Sequence, residues 1–385
     1  MTDSRGGNRI QSLDILRGFA LLGMFVVHFH VRSTEPGGLD DVVRTAVWRL
    51  VESKSHGTFA LLFGAGFAIM LRRAEAAGRA FVPLYLRRLA VLALFGVAAH
   101  LLFGFNVLLG YAVWGVPLLL MRRWATPALI VVAVLCTISS PVYHLLNQQR
   151  LLRTGGVAAV GAAHEARAAE ARALNAAVDA AEAQPRYRIL LAARLSHMAW
   201  FHRQPFFFLP GATLTLFIVG LLLVRQRVVD APLAHRRVLA GLAAFGVVSW
   251  LVSNWMIPGL ALLLRDQWLT FTYVAGALAL LAWRPAIADR MQGFAMVGRM
   301  ALTNYILQIA LLDLLFAGYA VGLGRIRPLW GLAAAVGCFV AELAFSRLWL
   351  SRFRLGPAEW LWRSLTYGRR QPWRAAAAQP GAASV

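Results

Sequence analysis

Ser12-Leu13-Asp14-Ile15-Leu16-Arg17-Gly18-Phe19-Ala20-Leu21-Leu22-Gly23-Met24-Phe25-Val26-Val27-His28 is the stretch from which the rest of this 385-residue chain is best read. Between Arg17 and His28 every residue is apolar or glycine. The run Ile15–Val31 approaches the ~20 residues a helix needs to cross about 30 Å of hydrocarbon. Eleven residues turn a helix through about 1100°, roughly 20° from three full turns, with about 16 Å of rise. Arg17 and His28 therefore share a face, one near each end of the span, while His30 points nearly opposite to Arg17. A cation at one mouth suits an anionic group such as a phosphate, and an imidazole deeper in suits proton transfer. The same spacing also fits a snorkelling Arg and an interfacial His.

Working outward, 59% of the chain is hydrophobic and 15% charged, against about 45–50% and 25% in soluble domains. The chain is a membrane protein by composition. Its net charge is +22, and Lys54 is the only lysine among 39 cations. These arginines sit in small groups between apolar runs, as in membrane loops, so no nucleic-acid partner is expected. Cys136 and Cys338 lie inside apolar runs without metal-type spacing, so neither a disulfide nor a metal is expected.

Ten apolar segments emerge and predict an all-α, polytopic helix bundle of about ten spans: Ile15–Val31, His56–Leu71, Leu89–Phe103, Val107–Met121, Pro127–Leu146, Phe208–Val224, Val238–Met256, Trp268–Trp283, Met296–Phe316 and Leu329–Leu350. With both termini inside, the cytoplasmic connections hold 24 cations and the short outer ones 7, which predicts an N-in/C-in protein of the bacterial inner membrane. The chain divides into a five-span half (1–146), an extracytoplasmic loop (147–207), a second five-span half (208–373) and a disordered tail (374–385). Within the loop, Val157–Gln184 holds 14 Ala and six charges and reads as a solvated helix. Tyr187–Phe208 reads as an interfacial amphipathic helix.

Polar residues inside the spans mark the remaining candidates. Asn304 and Gln308 share a face one turn apart, with Arg299 about a turn below and Asp313 toward the outer end. With Asp14, these five are expected either to line a cavity or to tie helices together. Glu342 lies near the middle of the tenth span. Eight of the nine histidines fall at or beyond the outer ends of spans on this topology; among them His56 opens the second span, close to Lys54. No Walker loop, Gly-x-Ser-x-Gly elbow or His-Glu-x-x-His motif is present.

Arg17 and His28 match the Arg, ten residues, His motif of acyltransferase family 3, which the first span resembles. Leu13 to Gly18 resemble the Leu-Asp-x-x-Arg-Gly core of heparan-alpha-glucosaminide N-acetyltransferase-type proteins. The whole chain is most similar to the YeiB-like family containing the domain of unknown function 418. That likeness rests on the first span, on Leu61-Leu62-Phe63-Gly64-Ala65-Gly66-Phe67, and on two C-terminal runs, Gly298-Arg299-Met300-Ala301-Leu302-Thr303-Asn304-Tyr305-Ile306-Leu307-Gln308 and Gly356-Pro357-Ala358-Glu359-Trp360-Leu361-Trp362-Arg363-Ser364-Leu365-Thr366-Tyr367-Gly368.

The resemblance implies transfer of an acyl group from cytoplasmic acyl-CoA, acetyl-CoA in particular, to a lipid or glycan acceptor across the membrane. His28 would then be the general base and Arg17 a contact for the donor phosphates. Many YeiB-like relatives have Asn at the position of His28, and in the glucosaminide acetyltransferases the working His follows the first span. That makes His56 a second catalytic candidate and Lys54 a second donor contact. The alternative class is a small-molecule transporter with Asn304, Gln308 and Asp313 along its path.

Overall fold

A computed structural model describes residues 5–34, 37–104, 106–204, 209, 211–255 and 265–374. The tail after Arg374 and the ends of two expected segments, at Phe208 and Met256, lie outside the described residues. Fifteen α-helices account for most of them: α1 (Arg5–Val31), α2 (Leu39–Ala46), α3 (Lys54–Ala76), α4 (Phe81–Phe103), α5 (Leu108–Leu120), α6 (Thr126–Glu182), α7 (Tyr187–Arg203), α8 (Gly211–Arg225), α9 (Arg236–Trp255), α10 (Leu269–Trp283), α11 (Pro285–Arg290), α12 (Gln292–Arg299), α13 (Ala301–Phe316), α14 (Pro328–Arg352) and α15 (Pro357–Tyr367). Two isolated bridges are the nearest approach to strand structure among the described residues.

Every expected apolar segment is helical, and the protein is a multi-pass membrane protein. Length and composition account for fewer than the ten expected spans among the described residues. Among the described residues six helical stretches are long and apolar enough to cross a bilayer: Gln11–Val31, Leu39–Ala76, Phe81–Phe103, Thr126–Glu182, Pro232–Trp255 and Pro328–Arg352. A seventh is reached only if α12 and α13 are taken together. They meet at an angle of 82°, so the segment expected as one helix from Met296 to Phe316 is broken at Met300. The remaining three segments fold as α5, α8 and α10, of 13, 15 and 15 residues. At 1.5 Å per residue these rise only about 20–22 Å.

The short helix α8 is apolar all round and buried, from Leu214 through Leu216, Phe217, Ile218 and Leu221 to Val224. That is the pattern of a helix enclosed by others. Its main neighbour is α3, and glycines bring the two backbones together: a Cβ on Gly64 would fall on the Phe217 carbonyl, and one on Gly220 on the Leu61 carbonyl. The same device joins α1 to α12, where Gly18 meets the Phe294 carbonyl and Gly298 the Asp14 carbonyl. Leu21, Met24, Phe25 and Phe29 of α1 are fully buried.

Two faces of the bundle follow from the ends of α1. On the Arg17 face, Arg72 pairs with Asp230 at 3.1 Å, and Arg225 donates to the Trp124 and Arg122 carbonyls, both at 2.6 Å. On the His28 face, α6 runs on without a break at residue 146. It bends at Gly156, where φ is 68° and ψ −163°, a region open essentially to glycine alone. Its far end returns to the bundle: buried Glu182 pairs with Arg32. Helix α7 is pinned there too, Tyr187 donating to the Leu101 carbonyl at 2.8 Å and buried Arg194 pairing with buried Asp313.

Candidate functional site

The first-span motif leads to a pocket between the helices. A cavity of about 130 Å³ lies between α1, α3, α4, α5 and α13, with Trp362 of α15 at one end. Its walls are largely apolar, from Met24, Phe59, Leu62, Phe63, Phe67, Leu92 and Leu108. Its polar groups are few: Arg17, Tyr85, Arg88, Tyr111 and Tyr305. This is the usual build of a small-molecule site, an apolar pocket with a small number of convergent polar groups.

At the Arg17 end, Arg17 is paired with buried Asp14 on the turn below, and Arg299 and Arg363 lie within electrostatic range of the same carboxylate. Gly66 of α3 leaves space here, since the nearest neighbour a Cβ would meet is the Arg17 guanidinium at 3.9 Å. Arg88 is held differently. Its guanidinium lies over the Trp362 ring, 3.7 Å from the centroid, while the Trp362 indole N–H donates to the Arg88 carbonyl at 3.0 Å.

At the other end stand two tyrosines, each tied to one of the candidate histidines. Tyr305 lines the cavity and packs against the His28 ring with centroids 6.1 Å apart. Tyr111 lines the cavity and donates to the His56 carbonyl at 2.9 Å. His28 and His56 themselves, 28 residues apart in sequence, lie within electrostatic range of each other. The His28 Nδ1 is enclosed and has no hydrogen-bond partner among the described residues. Neither imidazole is among the residues that line the cavity; both sit one layer beyond it.

Lys54 is buried at the start of α3, its ammonium directed at the Trp48 carbonyl, 3.4 Å away. Twelve residues of helix separate it from Gly66 beside Arg17, about 18 Å. Arg17 and Lys54 therefore stand well apart along α3.

The five residues expected at a cavity wall are not among those lining this one. Asp14 serves Arg17, and Arg299 is exposed. Asn304 bridges the break between α12 and α13, donating to the Val297 carbonyl at 3.1 Å and to Ser346 Oγ of α14 at 2.9 Å. Gln308 donates to Glu342 at 2.9 Å and reaches the Leu21 carbonyl at 3.4 Å. Asp313 is taken by Arg194 and Tyr319. Asn304, Gln308 and Asp313 thus tie helices together, each bonded to a neighbouring element.

Tyr85 and Arg88 went unmarked in the sequence. Arg88 stands beside Arg87 in a run that reads only as a cytoplasmic charge cluster; one residue of helix rotation, about 100°, turns Arg88 inward and leaves Arg87 exposed. Among the described residues no three His, Cys, Asp or Glu side chains converge as a metal site would require.

Residues 9–165 match the family model described as heparan-alpha-glucosaminide N-acetyltransferase, catalytic, and residues 223–369 match the protein of unknown function DUF418. The cavity takes walls from both regions. Over nearly its whole length the chain is similar to the uncharacterized protein YxaH of Bacillus subtilis, 30% identical over 392 residues that cover 94% of this chain and 96% of that one. An uncharacterized 39.9 kDa protein of the amylase 3' region of Bacillus acidopullulyticus is 29% identical over 379 residues, covering 94% and 95%. A stretch of 73 residues, 19% of this chain and 18% of the other, is 49% identical to the uncharacterized protein YeiB of Escherichia coli. No solved structure matches.

Proposed function

The chain belongs to the YeiB-like family of the domain of unknown function 418, related to the heparan-alpha-glucosaminide-type acetyltransferases, and from that premise we propose that it is an inner-membrane acyltransferase. It passes an acyl group, acetyl in the simplest case, from acyl-CoA on the Arg17 face to a lipid or glycan acceptor on the His28 face, with both termini in the cytoplasm. The observation that carries this reading is the cavity, which has Arg17 at one end and, at the other, Tyr305 packed against His28. Arg17 contacts the donor phosphates. His28, with His56 as the second candidate, takes the proton from the acceptor hydroxyl or amine. The thioester carbon–sulfur bond breaks as the bond from acyl carbon to acceptor oxygen or nitrogen forms, and the departing CoA thiolate recovers the proton.

A transport reading draws on the break between α12 and α13, since half-helix N-termini inside membranes hold ions and substrates in transporters. Here the freed amides already have a protein partner, because Glu359 accepts from the Leu302 and Thr303 N–H groups at 2.5 and 3.2 Å. That leaves the acyltransferase reading ahead. It is tested by release of free CoA from the purified protein given acetyl-CoA and an envelope extract. Release by the wild type, lost in Arg17→Ala and in the histidine variant, is expected. Absence of release, with no stabilisation of the protein by CoA, would favour transport.

A further inference from the structure

Arg88 is a half-buried cation on the cavity wall with no carboxylate beside it among the described residues, and its companion in the cavity, Arg17, is already matched by Asp14. The Trp362 face steadies the Arg88 guanidinium but leaves its charge and its N–H donors uncompensated. A second group in the same wall is also unmatched. Tyr85 is 1% exposed, lines the cavity, and its hydroxyl has no hydrogen-bond partner among the described residues. Buried hydroxyls are rarely left so, and each one asks for a partner. Gly115 makes room for it, since a Cβ there would stand 3.0 Å from the Tyr85 hydroxyl.

We propose that Arg88, Arg17 and Tyr85 form an anion site for the phosphate of a phosphorylated amphiphile whose apolar part lies along Phe63 and Phe67. Two guanidinium forks and a phenol supply more donors than a carboxylate can accept and match the several oxygens of a phosphate. The aromatic walls beyond them exclude a fully hydrated ligand. Arg88 is the principal anchor, because it alone of the two arginines has no protein anion to share. The anion site stands on these contacts; its identification with the acyl-CoA donor rests on the acyl-transfer reading above.

Calorimetric titration of the full chain in detergent tests this with three probes: coenzyme A, dioctanoyl phosphatidic acid and decanoate. Wild type is expected to bind a phosphate probe. Arg88→Gln weakens that binding by about 10- to 100-fold, Arg88→Lys by less, and Tyr85→Phe by several-fold. Tyr85→Phe removes only an unpartnered hydroxyl, so its melting temperature does not fall, which separates binding from folding. Coenzyme A bound by way of Arg88 supports both the site and the donor assignment. Phosphatidic acid bound while coenzyme A is not supports the anion site and overturns the donor assignment. Equal affinity in wild type, Arg88→Gln and Tyr85→Phe, stronger binding of decanoate than of both phosphates, or no binding of any probe overturns the proposal.

Discussion

Thr303 donates its hydroxyl proton to the carboxylate of Glu359 at 2.6 Å, and through that bond the two C-terminal motifs become one structure. The same carboxylate caps the first turn of α13 by accepting from the Leu302 and Thr303 amides, while the Ala358 amide returns a bond to Thr303 Oγ1 at 3.0 Å. Gly356 is required beside them, because a Cβ there would fall on the Glu359 carboxylate and the Thr303 hydroxyl. Glu359→Ala leaves buried donors unmatched and is expected to cost about 2–4 kcal/mol. Glu359→Gln keeps an acceptor for the two amides and costs about 1 kcal/mol or less. Thermal unfolding in detergent measures both.

Burial also holds the Glu359 carboxyl above its ordinary value of 4.5. The native state then keeps this proton to a higher pH than the unfolded chain does. The associated stability is fully present below about 4.5 and is lost as pH rises through the native value. The melting temperature of Glu359→Gln relative to wild type is therefore expected to rise with pH across that window; an offset independent of pH would refute the assignment.

The ion pair between Arg194 and Asp313 is buried on both sides. Removing one partner strands the other charge, so Arg194→Met or Asp313→Leu alone is expected to destabilise by about 3–5 kcal/mol. The double variant removes both charges and should recover part of that loss. A double variant as unstable as the sum of the singles would argue against the pairing.

Gly64 and Gly66 lie on one helix and differ in what surrounds them. Gly64→Ala forces a methyl onto the Phe217 carbonyl of α8, and an overpacking cost of about 1–3 kcal/mol is expected. Gly66→Ala meets only the Arg17 side chain at 3.9 Å and should fold with wild-type stability. Comparison of the two melting temperatures checks whether α3 and α8 are packed as described.

If His28 is the general base, His28→Ala lowers the rate of acyl transfer by about 10²- to 10⁴-fold while CoA affinity stays unchanged. The same measurement on His56→Ala decides between the two imidazoles, since the residue that moves the proton carries the larger loss. Undiminished transfer in His28→Ala removes that residue from the mechanism.

The sequence was most informative where one dimension suffices. Apolar length identified all ten helical segments, and helical periodicity aligned Arg17 with His28. A hydropathy run does not record a bend. Met296–Phe316 is continuous as a string and broken at 82° in space, and the apolar α8 is buried among other helices.

For the site, the sequence by itself determined a membrane helix bundle and the residue types with chemical potential, because burial of apolar side chains and the expense of isolated charges act along each helix separately. Tertiary structure alone decided which of those residues meet. It turned Arg88 inward and Arg87 outward, brought His56 near His28, and engaged Asn304, Gln308 and Asp313 in helix contacts. Such pairings depend on how helices cross, and the crossings are set by glycine contacts such as Gly64 on Phe217 and Gly18 on Phe294, whose partners lie far away in the chain.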